Sequence, residues 1–132
     1  MPLIFGIGTD IVRVDRMRAN IERYGDKFAH RILTATEFAE FSASPRPAHF
    51  LAKRFAAKEA VAKAMGTGFR DGLSLRDIGV THDAYGKPQL IYYGKAEDLR
   101  RTLNIGEGHL SIADECDYAV AFVALLRATG IK

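Results

Sequence analysis

Two carboxylates sit where neighbouring residues give them no obvious reason to be. Asp10 is the one charge in the apolar run Phe5-Gly6-Ile7-Gly8-Thr9-Asp10-Ile11-Val12. A carboxylate buried there is costly unless a cation pairs with it. Glu59 interrupts a helical face on which Leu51, Phe55 and Ala62 would otherwise form an apolar stripe. Lys63 follows four residues later, in the order that favours a helix ion pair. Each has a plain structural reading: Asp10 as the cap of the next helix, Glu59 and Lys63 as an exposed pair. Held together, the two carboxylates would suit a hard cation. Mg²⁺ takes one or two carboxylates, keeps waters, and completes its shell with substrate phosphate oxygens. Arg54, Lys58 and Lys63 on the same segment could then meet phosphate charge.

The elements that must position these residues can be read from periodicity. Leu3 to Val12 is expected to be a buried strand. Val14, Met17, Ile21, Tyr24 and Phe28 recur at helical steps as one apolar stripe, with Gly25 breaking or bending the segment. Arg13, Arg16, Asn20, Arg23, Lys27 and Arg31 follow the same rhythm on another face. Thr34-x-x-Glu37 has the form of a capping box opening a short helix that Pro45 and Pro47 end. Ala48 to Met65, rich in Ala, Lys and Glu and followed by Gly66, predicts a long helix. Beyond it the period shortens to strands at Ile78 to Val80 and Gln89 to Tyr93, turning through Tyr85-Gly86-Lys87-Pro88. A helix over Ala96 to Leu103 precedes strands at His109 to Ala113 and Tyr118 to Leu126. The order predicts one α+β domain over residues 1–132: a small, mainly antiparallel sheet packed with one long helix and shorter helices.

Composition narrows the function classes. With 132 residues, 48% hydrophobic and 27% charged, the chain is long enough for one packed core and too apolar for disorder. No run approaches the ~18 to 20 apolar residues of a membrane helix. The start, Met1-Pro2-Leu3-Ile4, lacks the form of a signal peptide, so a soluble cytoplasmic protein with no membrane partner is expected. Residues 1–66 hold 11 Lys/Arg against 7 Asp/Glu, and residues 67–132 hold 8 against 9. That excess is too small for a nucleic-acid partner and fits a local basic face meeting an acidic protein or a phosphorylated small molecule. The lone Cys116 can form neither an internal disulfide nor a cysteine-rich zinc site.

The remaining candidates are weaker. Gly6-Ile7-Gly8 lacks the third glycine of a dinucleotide fingerprint, and no Gly-Lys-Ser/Thr follows Gly66 or Gly68. Those glycines read as a strand needing close approach and a helix terminator. His30, His49 and His82 lie in surface-like contexts, and His109 opens a strand.

Gly6-Ile7-Gly8-Thr9-Asp10-Ile11-Val12 with Arg16, and Arg54-Phe55-Ala56-Ala57-Lys58-Glu59-Ala60-Val61-Ala62-Lys63-Ala64, resemble the two signature blocks of the 4′-phosphopantetheinyl transferase family. Gly66-Thr67-Gly68, Gly86-Lys87-Pro88 and His109-Leu110-Ser111-Ile112 with Tyr118-Ala119 fit in the same order, so the resemblance runs from Phe5 to Val123. Ala113-Asp114 stands where many broader relatives place a second histidine, whose role is not carried over. The resemblance implies that family's fold and transfer of the phosphopantetheine arm of coenzyme A to a serine of an apo acyl carrier protein. Adenosine 3′,5′-bisphosphate would leave, and the reaction would serve fatty acid biosynthesis. It further implies Mg²⁺ held by Asp10 and Glu59, with Lys63 neutralising the transferred phosphoryl group; the serine must then lose its proton, to Glu59 directly or through a metal-bound water. Arg54 would lie near the 3′-phosphate and His109 near the phosphates. Gly86, Lys87 and Pro88 would line the adenine pocket from a neighbouring subunit of a homotrimer. Arg16, Arg23 and Arg31 would dock the acidic carrier. Two other readings compete: a Mg²⁺-dependent phosphohydrolase using the same carboxylates with water as nucleophile, and a non-catalytic module that keeps the basic helix and needs no Asp10, Glu59 and Lys63 constellation.

Overall fold

The computed structural model describes residues 3–129, so Met1, Pro2 and the C-terminal residues 130–132 lie outside it. Strand β1 (Ile4–Arg13) leads into helices α1 (Val14–Tyr24), α2 (Asp26–Ile32), α3 (Ala35–Ala43) and α4 (Pro47–Met65). A 3-10 turn (Leu75–Asp77) precedes β2 (Ile78–His82) and β3 (Pro88–Tyr92), followed by α5 (Gly94–Thr102), β4 (Ile105–Asp114) and β5 (Tyr118–Arg127). The antiparallel pairing is as expected, but the strands divide into two sheets, β1-β5-β4 and β2-β3. Among the described residues no helix is long and apolar enough to cross a membrane.

Local chemistry accounts for the helix boundaries. Gly25, at φ 64°, separates α1 from α2. Thr34 and Glu37 form the expected capping box at the start of α3, each accepting from the other's backbone N–H. Pro47 does not end α3, which stops at Ala43. It opens α4 instead, at the first helical position where its missing N–H costs nothing. Gly66 closes α4 in the left-handed conformation.

Helix α4 is the axis of the core and lies across the inner face of the β1-β5-β4 sheet. Its small residues allow this: Ala52, Ala56, Ala57, Ala60, Val61 and Ala62 are all fully buried. The single apolar stripe expected on α4 is therefore too narrow, because the helix is covered on most of its circumference. Residues Phe55, Glu59 and Lys63, at steps of four, form a line along it that stays half-buried or exposed. The α1 stripe is shorter than its periodicity suggests: Val14 and Met17 are buried, Ile21 half-buried, and Tyr24 exposed beyond the edge of the core.

Candidate functional site

The close approach of β1 and α4 is built from glycines. A Cβ added at Gly8 would lie 2.0 Å from the Ala60 carbonyl oxygen, and one at Gly6 would lie 2.1 Å from that of Ala64. Strand alternation then places Asp10 on the same face as Gly6 and Gly8, against α4. The Asp10 side chain is 17% exposed, and its Oδ1 accepts a 2.9 Å hydrogen bond from Lys63 Nζ. Lys63 also donates to the Thr9 carbonyl oxygen at 3.1 Å. Both plain readings of these residues are thereby corrected. Asp10 caps nothing, since α1 has no side-chain cap, and the hydrogen-bond partner of Lys63 is Asp10 rather than Glu59.

Glu59 shares this environment. Burial and, after it, the charge of Asp10 push its carboxyl above the usual carboxylate range, while Lys63 and Arg16 pull it back. Arg16 reaches the site from α1, with its guanidinium 5.9 Å from the centre of the Phe55 ring. The site is thus two neighbouring carboxylates with a lysine ammonium resting on one of them. No group of three His, Cys, Asp or Glu side chains able to hold a metal occurs among the described residues. A pair nevertheless fits Mg²⁺, whose remaining ligands are water and phosphate oxygens.

Lys58 requires a correction. It does not face phosphate: it is fully buried and donates to Glu37 Oε1 at 2.7 Å. Arg54 is also buried, at 5% exposure, with its guanidinium 4.5 Å from the Phe50 ring centre and Nη2 3.8 Å from the Glu40 carboxylate. Burial lowers its pKa, which Glu37 and Glu40 partly restore. Its Nε is buried without a hydrogen-bond partner. His49 is not a surface residue either. It is 8% exposed, and its Nε2 accepts from the Arg46 guanidinium at 2.9 Å and lies 3.2 Å from the Glu115 carbonyl oxygen of the β4–β5 turn.

Lys87, Pro88 and His109 come together in a groove of about 500 Å³ between β3 and β4. Gly86 precedes them in the hairpin turn at φ 85°, where Asp83 accepts from the N–H groups of Tyr85 and Lys87. Tyr92 lines the same groove and was not singled out by sequence. Burial pushes its phenol up to about 12, and its hydroxyl has no partner. Asp10, Glu59 and Lys63 do not line this groove. Lys63 instead borders a cavity of about 340 Å³ with Ile7, Gly8, Thr9 and Phe122, which opens toward the outer face of the three-stranded sheet. Arg16, Arg23 and Arg31 are all exposed, so the basic row on α1 and α2 is open to a partner.

Residues 6–123 match the family model described as the 4′-phosphopantetheinyl transferase superfamily. A holo-[acyl-carrier-protein] synthase of Nitrosococcus oceani is 58% identical over 94% of this chain and 80% of its own length. The crystal structure of the corresponding synthase from Neisseria meningitidis superposes with a TM-score of 0.87 at 48% identity, covering 93% of this chain and 98% of that one. A Bacillus anthracis synthase solved in complex with CoA (3′,5′-ADP) is 40% identical, with a TM-score of 0.78 over 96% of this chain and all of that one.

Proposed function

The chain belongs to the 4′-phosphopantetheinyl transferase superfamily, and on that footing we propose that Asp10, Glu59 and Lys63 form its catalytic centre. The activity is transfer of 4′-phosphopantetheine from coenzyme A to a serine of apo acyl carrier protein, giving holo carrier and adenosine 3′,5′-bisphosphate. The observation that carries the site assignment is the meeting of Asp10, from β1, with Glu59 and Lys63 on the least covered line of α4.

In this reaction the serine oxygen forms a bond to the phosphorus bearing the pantetheine arm. The bond from that phosphorus to the bridging pyrophosphate oxygen breaks, and adenosine 3′,5′-bisphosphate leaves with the electron pair. Mg²⁺ bound by Asp10 and Glu59 would supply positive charge to the pyrophosphate oxygens. Glu59, directly or through a metal-bound water, takes the serine proton. Lys63, already turned toward Asp10, holds positive charge beside the phosphoryl oxygens. Arg54 would meet the 3′-phosphate, and Lys87, Pro88 and His109 form the walls for the nucleotide. Release of adenosine 3′,5′-bisphosphate from coenzyme A tests the reading against hydrolysis. It should require apo carrier, whereas equal release without carrier would identify a phosphohydrolase.

Two features support a homotrimer with sites shared between subunits. Asp10, Glu59 and Lys63 do not line the nucleotide groove of their own chain, and Lys63 borders a separate cavity. The outer face of the three-stranded sheet is apolar and open, with Ile7, Ile11, Val120 and Phe122 between 38% and 64% exposed. Ile11 and Val120 are direct cross-strand neighbours, and Phe122 pairs with Thr9, so the patch is continuous. Phe122→Glu, which places charge at its centre, should convert the assembly to monomers in light scattering and abolish transfer. A wild-type protein that is monomeric at micromolar concentration would contradict the assignment.

The basic row supports carrier docking. Arg16 also acts on Glu59, so it is a poor probe of docking alone; Arg31 is the cleaner one. Arg31→Glu should raise KM for the carrier most at low salt and leave KM for coenzyme A unchanged, because exposed charges steer an acidic partner and are screened by salt. Equal change in both constants would place Arg31 outside the docking surface.

A further inference from the structure

The two-stranded sheet β2-β3 is too small to hold its own position, yet its turn and outer strand carry Lys87 and Pro88 into the nucleotide groove. One edge of β2 pairs with β3. On the other edge, the Val80 N–H donates to Glu37 Oε2 at 2.7 Å, and the Ile78 carbonyl oxygen accepts from Lys58 Nζ. Two side chains thus stand where the main chain of a third strand would be. Lys58 spends its three donors on Glu37, the Leu75 carbonyl oxygen and the Ile78 carbonyl oxygen, leaving no free N–H. Glu37 Oε1 accepts from both Lys58 and the Thr34 N–H. The network therefore joins α3, α4, the 3-10 turn and β2, with Glu37 1% and Lys58 0% exposed.

We propose that Glu37 and Lys58 are positioning residues for coenzyme A, which fix the β2–β3 hairpin, and with it the nucleotide groove, by completing the inner edge of β2. The proposal rests on the site reading given above. It explains why an ion pair is kept in a core where apolar residues of similar volume would serve stability as well or better. Hydrophobic replacements can fill the space, but they offer no acceptor to the Val80 N–H and no donor to the Ile78 carbonyl oxygen. The hairpin would then settle elsewhere, and a displaced binding wall loses contacts made equally in ground and transition states, which raises KM and leaves kcat.

The test compares Glu37→Gln and the double variant Glu37→Met/Lys58→Met with wild type, reading KM for coenzyme A, KM for carrier, kcat and Tm. The expected result is a rise in KM for coenzyme A of about tenfold or more, with KM for carrier and kcat at saturating coenzyme A within a fewfold. A fall in Tm with KM for coenzyme A unmoved would reduce the pair to a structural role and overturn the proposal. Hydrogen exchange on the wild-type protein supplies a readout that needs no variant. The Val80 amide should exchange as slowly as the ladder amides of β2-β3, and a fast-exchanging Val80 would overturn the proposal too. If wild type transfers nothing to apo carrier, the functional reading fails instead, while the exchange experiment still judges the network.

Discussion

Glu59→Gln leaves a folded protein that modifies carrier orders of magnitude more slowly than wild type. The substitution keeps the shape and nearly the helix propensity of the side chain, so α4 persists. What disappears is the charge that holds the cation with Asp10 and the group that accepts the serine proton, both of which act on the transition state. Stability should move the other way. Burial and Asp10 raise the Glu59 pKa in the folded protein, so the folded state holds its proton more tightly than the unfolded one. The stabilising contribution of that proton is complete below the ordinary Glu value of about 4.3 and is lost as pH rises through the folded value. Without added Mg²⁺, Glu59→Gln should therefore melt higher than wild type at neutral pH and gain little at pH 3. An exposed Glu59–Lys63 pair, worth only about 0.3–0.5 kcal/mol, predicts near-normal rates and a slightly lower Tm. Initial rates against Mg²⁺ concentration, with circular dichroism melts at both pH values, separate the two.

Gly8→Ala should be the most damaging single-methyl change in the molecule. Its Cβ would lie 2.0 Å from the Ala60 carbonyl oxygen and 2.8 Å from the Ala64 backbone nitrogen, so no side-chain rotation relieves the clash. Either β1 or α4 must withdraw, in the most tightly packed part of the core. Overpacking against backbone is expected to cost about 3 kcal/mol, on the order of 10 °C in Tm for a chain of this length. The same withdrawal carries Asp10 away from Glu59 and Lys63, so the folded fraction should also lose transfer activity. Thermal denaturation with specific activity per folded molecule checks both. A Gly8→Ala protein with wild-type Tm would mean that β1 and α4 are not held at the observed approach.

The parts of this molecule legible in the sequence are those governed by neighbours along the chain. The Thr34–Glu37 capping box, the Gly25 break and the Gly66 terminator each depend on residues within one or two turns, and each is formed. Gly6 and Gly8 were likewise readable as a close approach, although not what they approach. What periodicity missed depends on partners distant in the chain. Lys58 resembles any lysine of an Ala-Lys-Glu helix until Glu37, 21 residues earlier, meets it in the core. Glu37 was recognised as a cap, but the same carboxylate also takes the Val80 N–H across the fold. Periodicity places Phe55 and Glu59 on an apolar face with Leu51 and Ala62, because helices usually bury one stripe and expose the rest. Here the alanines let the core surround the helix, and the charged line marks the opening. The division of the strands into two sheets follows from pairings that local pattern does not encode.

The central claim is that the carboxylate pair between β1 and α4 moves phosphopantetheine onto a carrier serine. It is tested most directly by the intact mass of an apo acyl carrier protein incubated with this protein, coenzyme A and Mg²⁺. The carrier should gain the mass of one phosphopantetheine group on a single serine with wild type, and almost none with Glu59→Gln over the same interval. A carrier of unchanged mass with folded wild-type protein would contradict it, as would equal modification by both proteins.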